Sequence, residues 1–339
     1  MNLRLKQSQR RRGTIWGLFG ALVLVILLGL TSGSVAVGLS DLWHMIQFRT
    51  GLTDDPERLT DSVLWAIRLP RVLAGVVVGA GLGVAGVALQ GTFRNPMADP
   101  HLVGVAPAAG LGAVVGIALT PVGGPPIVMM LAAAVGAAAL ALVMRRIAFN
   151  TLDSGQLILV GLALGLAFLA VLGAVVLAWD SPRVPTFTFW VFGGLSGATW
   201  STLGAATPLV VVGAAMVVAN GRLLDLLALG EDEARHLGVD VRRLTTVVLV
   251  AAGLVVGGAV GLAGVIGFVG LVVPLLLRRW LGPAHRALAG LAALGGAVML
   301  VAVDTVARTI AAPVEIPVGL LTAIVGAPVF IWALLRRPR

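Results

Sequence analysis

The chain has 339 residues, of which 58% are hydrophobic and 12% are charged, and its formal net charge is +9 at pH 7. This composition is too apolar for a soluble domain. At about 20 apolar residues per membrane span, the chain can hold about ten spans and leaves no room for a large soluble domain. Its single lysine is Lys6, and Cys and Tyr are absent, which excludes a P-loop ATPase, thiol chemistry and disulfides. The arginines lie in short turns beside apolar segments, so the positive charge does not indicate nucleic-acid binding.

The first element is a basic tail at residues 1–13, followed by an apolar run from Ile15 to Leu30. Basic and apolar regions in this order also occur in secretory signals. The apolar run is long for a signal, and no clear small-x-small cleavage site stands at its end. We therefore interpret it as a first, uncleaved membrane span.

Nine further apolar segments follow, so the sequence predicts one all-α, polytopic transmembrane domain over residues 1–339. Gly267, Gly270 and Pro274 interrupt the eighth segment, which membrane helices tolerate when neighbouring groups satisfy the freed backbone. Glycine pairs such as Gly75 and Gly79 predict helices that approach each other backbone to backbone. The predicted spans are approximately 14–32, 71–91, 102–120, 126–145, 156–179, 204–222, 243–261, 264–280, 286–306 and 317–335.

The distribution of basic residues predicts the orientation of these spans. With the N terminus inside, eighteen of the 24 Lys and Arg residues fall on the inner side. This asymmetry places both termini in the cytoplasm. Two longer connections, 34–68 and 180–203, then lie outside, with helix-like pieces at Leu39–Phe48 and Phe187–Trp200. Their aromatic residues are typical of an interfacial belt.

A charged island at residues 228–241 separates the sixth and seventh spans. Two glycines bracket a short predicted helix whose acidic residues lie near its positive N-terminal end. Its apolar side chains could seat in a groove on a soluble partner. We interpret the island as a coupling element on which such a partner pushes, and the alternative is an ordinary solvated turn. The residues predicted to act there are Leu229, Gly230, Glu231, Glu233, Ala234, Leu237 and Gly238.

Ionisable residues are almost absent from the interiors of the spans. Asp304, near the outer end of the ninth span, is the exception, and Arg308 at i+4 is its predicted partner. This scarcity argues against a proton-coupled antiporter or a voltage sensor. The four histidines lie in different turns, each expected at a surface, and no hydrolase or metalloprotease motif is present. The sequence predicts no catalytic residue, no metal site and no cofactor. It favours a pathway for a bulky solute whose movement another protein drives.

In consistent order from about Ser34 to Arg337, the chain resembles the FecCD-type permeases of ABC importers for iron-siderophores, haem and cobalamin. Two positions depart from the family pattern and weaken any inference about the substrate. Leu275 stands where His is frequent, and Ala106-Pro-Ala-Ala109 replaces a frequent Ser-Ser-Gly run. Beside the island, the resemblance is carried by Arg68-Leu-Pro-Arg71, Gly79–Gly91, Arg94-Asn-Pro-Met-Ala-Asp-Pro100, Leu102-Val-Gly-Val105, Phe189-Trp190, Gly193-Gly-Leu-Ser-Gly-Ala-Thr-Trp200, Gly264-Val-Ile-Gly-Phe-Val-Gly-Leu-Val-Val-Pro274, Glu315-Ile-Pro-Val-Gly319 and Gly326-Ala-Pro328.

This resemblance implies a ten-helix permease of a bacterial inner membrane, in which helices two to five and seven to ten form an inverted pair. It also implies a homodimer with the pathway at the subunit interface, two ATPase subunits inside, a solute-binding protein outside and a metal-chelate substrate. By the same resemblance, Arg68, Arg71 and Arg308 engage acidic side chains of the binding protein. The alternative for these arginines is that they snorkel or pair locally.

Two other classes of function remain open. An ion-coupled secondary transporter would carry a charged residue at the membrane midplane, and the sequence shows none there. A structural or channel-like membrane protein would differ from an importer subunit because no ATPase would copurify with it.

Overall fold

The structure is a computed structural model, and it describes residues 2–33, 35–55, 57–121, 124–151, 154–179, 187–312 and 314–335. All regular structure in these ranges is helical. A short π-helical turn, Leu64–Arg68, joins the third helix to the fourth. The helices are α1 Asn2–Thr31, α2 Leu39–Thr50, α3 Leu59–Val63, α4 Leu69–Thr92, α5 Val105–Ala118, α6 Pro126–Thr151, α7 Ser154–Ala178, α8 Phe187–Phe192, α9 Trp200–Ala219, α10 Gly221–Leu227, α11 Glu231–His236, α12 Val241–Ala263, α13 Val269–Leu281, α14 His285–Ala307 and α15 Val318–Leu335.

Each of the ten predicted spans overlaps a helix, namely α1, α4, α5, α6, α7, α9, α12, α13, α14 and α15. In the described part of the chain, seven helical stretches are long and apolar enough to cross a membrane, and α5 and α15 are shorter apolar helices. The predicted polytopic, all-α fold is therefore confirmed. The boundary of the eighth span was wrong, because residues 264–268 are not helical and α13 begins only at Val269.

The two longer connections contain some of the helical structure that their sequences indicate. Residues 34–68 contain α2 and α3, as the helix-like pattern at Leu39–Phe48 predicted, but the basic tail at 1–13 is already helical from Asn2. The piece predicted at Phe187–Trp200 is helical only to Phe192. Residues 180–186, which include Arg183, lie outside the described residues.

The packing of the helices repeats in the two halves of the chain. α4 packs along α14, and α12, its counterpart in the predicted repeat, packs along α6. In the same way, α5 packs against α12 and α13 packs against α4. In each half, one helix begins inside the body after a left-handed residue, Gly104 (φ 78°) before α5 and Phe268 (φ 69°) before α13. This exchange of partners is the pattern expected of two inverted repeats.

Close approach in these helix pairs depends on glycine. A Cβ atom on Gly79 would clash with the backbone of Gly296 in α14. α12 meets α6 in the same manner, because a Cβ atom on Gly257 would clash with the backbone of Ala134. The predicted backbone-to-backbone packing of small residues is therefore confirmed for Gly79.

Contacts between charged residues define two ends of the helix body. At one end, which we call the island end, Arg94 lies near Glu231 of α11. At the other, which we call the cluster end, Arg71 of α4 pairs with Asp304 of α14. Each of these two pairs joins residues that the sequence assigned to the same side of the membrane.

The aromatic residues near the cluster end do not all form an interfacial belt. Trp43 is 60% exposed, as a belt residue should be, but Trp190 is fully buried and packs edge-on against Phe189 at 5.4 Å. Trp200 packs on Trp65 at 4.9 Å, and its indole N–H donates to the backbone carbonyl of Trp65. The belt interpretation was therefore wrong for Trp190.

Candidate functional sites

The charged island folds into α11 and ends in a Schellman motif. The backbone N–H of Val239 donates to the carbonyl of Ala234 at 2.9 Å, and that of Gly238 donates to the carbonyl of Arg235 at 2.9 Å. Gly238 has φ +83°, a left-handed conformation that favours glycine at this position. Gly230, before the helix, has φ +137°. Both glycines thus set the bounds of this short helix, as predicted.

Charge is distributed along α11 in the sense that the helix dipole favours. Glu231, Asp232 and Glu233 lie in the first turn and Arg235 in the last. The Arg235 guanidinium donates to Glu231 at 3.2 Å and to Asp232 at 3.1 Å. These pairs stiffen a helix of only six residues.

The apolar residues of the island divide into two groups. Leu229 and Leu237 are 64% and 59% exposed, whereas Ala234 is fully buried. The expectation that Ala234 faces a partner was therefore wrong, since its methyl group anchors α11 in the same core cluster as Leu227 and Val241. Leu229 and Leu237 remain as the apolar contact surface that α11 presents.

A second cluster ties the island end to the transmembrane helices. In α14, the backbone N–H of His285 donates to the Asp225 carboxylate, and its Nδ1 lies 3.0 Å from Asp225 Oδ1. On the other side, an Arg278 guanidinium nitrogen of α13 lies 3.3 Å from His285 Nε2. Asp225 lies on α10, directly before the island. Asp225 thus joins α10 to α14, and His285 joins α14 to α13.

His285 and His44 correct the expectation that each histidine lies at a surface. His285 is 4% exposed and His44 is 7% exposed. His44 Nδ1 lies 2.8 Å from a carboxylate oxygen of the fully buried Asp61. The burial of both histidines was not predicted, because their carboxylate partners are distant in sequence.

At the cluster end, Arg71 holds two acidic residues. Its Nε lies 3.1 Å from both Asp304 carboxylate oxygens and one terminal nitrogen lies 2.9 Å from Oδ1. Its other terminal nitrogen donates to Glu315 at 2.8 Å. Arg308, the predicted partner of Asp304, is farther away at 3.7 Å. The closest partner of Asp304 is therefore Arg71, which lies on the neighbouring helix α4. Arg308, at i+4, is not its closest partner.

Arg68 and Arg308 bind the end of α1. Arg68 donates to the carbonyls of Leu30 and Thr31 at 2.6 and 3.0 Å, and Arg308 donates to the carbonyl of Gly29. With Arg71, these arginines are between 4% and 8% exposed. The three predicted docking residues thus come together, but their guanidinium groups are buried and hydrogen-bonded within the chain.

The charges of this arginine cluster do not cancel. Three guanidinium groups, those of Arg68, Arg71 and Arg308, lie with the two carboxylates of Asp304 and Glu315. Among the described residues Arg68 forms no ion pair with a carboxylate, and its hydrogen bonds go to backbone carbonyls. These five side chains therefore carry one excess positive charge.

The loop between α4 and α5 holds a buried carboxylate that sequence reasoning missed. Asp99 is 2% exposed and accepts a hydrogen bond from the backbone N–H of His101 at 2.9 Å. A Cβ atom on Gly270 of α13 would lie 3.0 Å from its Oδ2. Burial raises the pKa of Asp99 to about 6, although backbone hydrogen bonds oppose this shift. Burial lowers the pKa of His101.

No metal site emerges from this geometry. Within the described ranges, no group of three or more His, Cys, Asp or Glu side chains could hold a metal ion.

Comparisons with known proteins give a consistent result. The model of the FecCD transport family matches residues 21–336. The hemin transport system permease protein HmuU of Yersinia pestis is 39% identical over 329 residues, covering 93% of this chain and 94% of that protein. The vitamin B12 import system permease protein BtuC of Vibrio cholerae serotype O1 is 36% identical, covering 97% and 96%. A solved inward-facing structure of a metal-chelate type ABC transporter matches with a TM-score of 0.77 at 29% identity, covering 95% of this chain and 98% of that one.

Proposed function

This chain belongs to the FecCD transport family, and we propose that it passes a metal chelate through the membrane as the permease subunit of an ABC importer. Iron-siderophore and haem are the first substrate candidates and cobalamin the next, since the relatives include permeases named for hemin and for vitamin B12. The family is one of transport permeases, and the chain itself is not proposed to catalyse a reaction. The match over residues 21–336 carries this proposal.

We propose that two ATPase subunits bind at the island end and that this end faces the cytoplasm. Leu229 and Leu237 are exposed there beside the charged α11. An apolar pair flanking a short charged helix suits a groove on a soluble partner. Through Asp225 and His285, force on α10 would reach α14. Glu231 adds a second link, because it lies 3.9 Å from Arg94 in the loop after α4.

The proposal places a solute-binding protein at the cluster end, outside the inner membrane. The one excess positive charge of the arginine cluster favours an acidic side chain of the partner at this point of the surface, because complementary charge directs orientation and association rate. The guanidinium groups of Arg68, Arg71 and Arg308 are buried. We therefore propose that they act by setting the electrostatic field and the shape of this surface. A second copy of the chain completes the proposed homodimer, with the pathway between the two copies.

The orientation can be tested by labelling, because the chain contains no cysteine. A membrane-impermeant maleimide should label Leu52→Cys in intact spheroplasts, since Leu52 is exposed near the cluster end. It should label Arg235→Cys only after permeabilisation. The reverse pattern would overturn the orientation.

The function can be tested by reconstitution. Proteoliposomes that contain the permease, its ATPase and its binding protein should take up one of haem, a ferric siderophore or cobalamin only when ATP is present. The secondary-transporter alternative predicts uptake without the ATPase, driven by an ion gradient. Copurification of an ATPase with the permease would separate the importer from a structural or channel-like protein.

A further inference from the structure

A cavity of about 810 Å³ lies between α1 and α13, at the island end. Its lining includes Arg10, Gly17 and Leu18 of α1 together with Arg279 and Trp280 of α13. The volume is within the range of about 300–1,000 Å³ that is usual for ligand sites. The cavity shares no residue with the island or the arginine cluster.

The cavity forms because α1 stands away from its neighbours here. A Cβ atom on Gly13 or on Gly17 would meet no heavy atom within 4 Å. Only 6% of the apolar stretch of α1 is buried. The space is an open groove beside an exposed helix, so in a membrane lipid is expected to fill it.

The polar part of the lining is suited to a phosphate group. Arg10 and Arg279 both carry guanidinium groups, which bind phosphate in a bidentate manner. Arg279 lies over the ring of Trp332 at 4.6 Å. The neighbouring Trp280 is 75% exposed, as expected for an aromatic residue at the headgroup level of a bilayer. None of the described lining residues is acidic, so the site favours an anion.

We propose that this cavity binds an anionic phospholipid. Arg10 and Arg279 bind the phosphate group, and the acyl chains lie along the open face of α1 at Gly13, Gly17 and Leu18. The assignment of this lipid to the cytoplasmic leaflet rests on the proposed function, in which the island end is cytoplasmic. Basic pockets between transmembrane helices on that side are suited to anionic headgroups. A bound lipid would bridge α1 and α13.

Native mass spectrometry of the purified permease in a neutral maltoside detergent tests this inference. Phosphatidylglycerol should bind more tightly than phosphatidylcholine by roughly 30-fold, given the usual attraction of two arginines for an anionic headgroup. Arg10→Gln combined with Arg279→Gln should reduce this preference to less than about threefold. A charge-matched control, Arg146→Gln with Arg243→Gln, removes two exposed arginines elsewhere and should keep it.

A steric variant separates the cavity from the charges. A Cβ atom on Gly17 meets no heavy atom within 4 Å, so Gly17→Leu should fill the open face and weaken the binding of both lipids at least tenfold while the protein stays monodisperse. Soluble glycerol phosphate should not compete, because the acyl chains contribute to binding. Absence of a phosphatidylglycerol preference, equal loss in the control pair, or unchanged binding in Gly17→Leu would overturn the proposal. None of these readouts depends on transport.

Discussion

Arg71 and Asp304 are 233 residues apart in sequence, yet the guanidinium Nε lies 3.1 Å from both carboxylate oxygens. The side chains are 8% and 2% exposed. The pair joins α4 to α14 at the cluster end, and Glu315 adds the segment before α15. A buried pair of this kind ties together helices that come from the two halves of the chain.

Removal of one partner of this pair should destabilise the protein strongly. Arg71→Met and Asp304→Leu should each cost about 3–5 kcal/mol, because each leaves the other member of the pair buried without its closest partner. The double variant Arg71→Met with Asp304→Leu should recover most of that loss. Thermal unfolding in detergent of both single variants and the double variant completes the double-mutant cycle. Arg49→Gln, at a half-exposed pair with Glu57, is the control and should cost less than about 1 kcal/mol. Equal losses in the single and double variants would contradict a specific pair.

The spans were predictable from sequence because each is an apolar segment of membrane length, and the island because two glycines bracket its charges. The partner of Asp304 was not predictable in this way. The i+4 rule is local and selected Arg308, whereas the observed partner comes from another helix. The burial of Ala234 could not be predicted either, since a helix of six residues has no periodicity that reveals its inner face. Asp99 was missed because a loop residue was not expected to fold back onto α13.

Helix packing gives the second prediction. Gly257→Val should destabilise the protein by about 1–3 kcal/mol or more, because the new side chain would collide with the backbone of Ala134. Gly204→Val is the matched control, because a Cβ atom there meets nothing within 4 Å. The apparent melting temperature in detergent should fall for Gly257→Val alone. Similar falls in both variants would point to glycine's backbone freedom instead of close packing.

Asp99 gives a prediction of pH dependence. Its pKa in the folded protein is about 6, above the ordinary value of 3.8, so the folded state binds the proton more tightly than the unfolded state. Its contribution to stability is therefore fully present below about pH 4 and is lost as pH rises to about 6. Asp99→Asn removes this loss and keeps an acceptor for the His101 N–H. The gain in free energy of unfolding that Asp99→Asn shows over the parent protein should be about 2 kcal/mol larger at pH 7.5 than at pH 4.5.

His101 provides the internal control for this measurement. Its pKa is lowered, so its contribution has the opposite sign and is lost as pH falls below the ordinary histidine range. His101→Gln should therefore improve stability at acidic pH, whereas Asp99→Asn should improve it near neutrality. If the two variants change the pH profile in the same direction, the assignment of these titrations is wrong.

The island gives a prediction of coupling. Gly238 has a left-handed conformation, and a side chain there would enter open space. Gly238→Trp strains the left-handed end of α11 locally and places a bulky side chain beside Leu237, so the permease should stay inserted while stimulated ATPase activity no longer produces uptake. Gly238→Asn is the control, because Asn tolerates the left-handed region at a small cost. Normal uptake by a stably inserted Gly238→Trp protein would contradict a coupling role.

The last prediction concerns association at the cluster end. Arg68 is held by carbonyl oxygens and pairs with no carboxylate among the described residues, so its charge is the one that we expect to attract an acidic side chain of the binding protein. Arg68→Gln should slow association several-fold at low salt and lessen its salt dependence, because it removes this charge, and charge steering acts mainly on the rate and is screened by ions. Arg68→Lys keeps the charge with fewer hydrogen bonds and should associate at nearly the normal rate. Stopped-flow fluorescence in nanodiscs measures both rates, with Arg243→Gln as a control at the island end. If Arg68→Lys is as slow as Arg68→Gln, the arginine supports the fold of this surface and does not attract the partner.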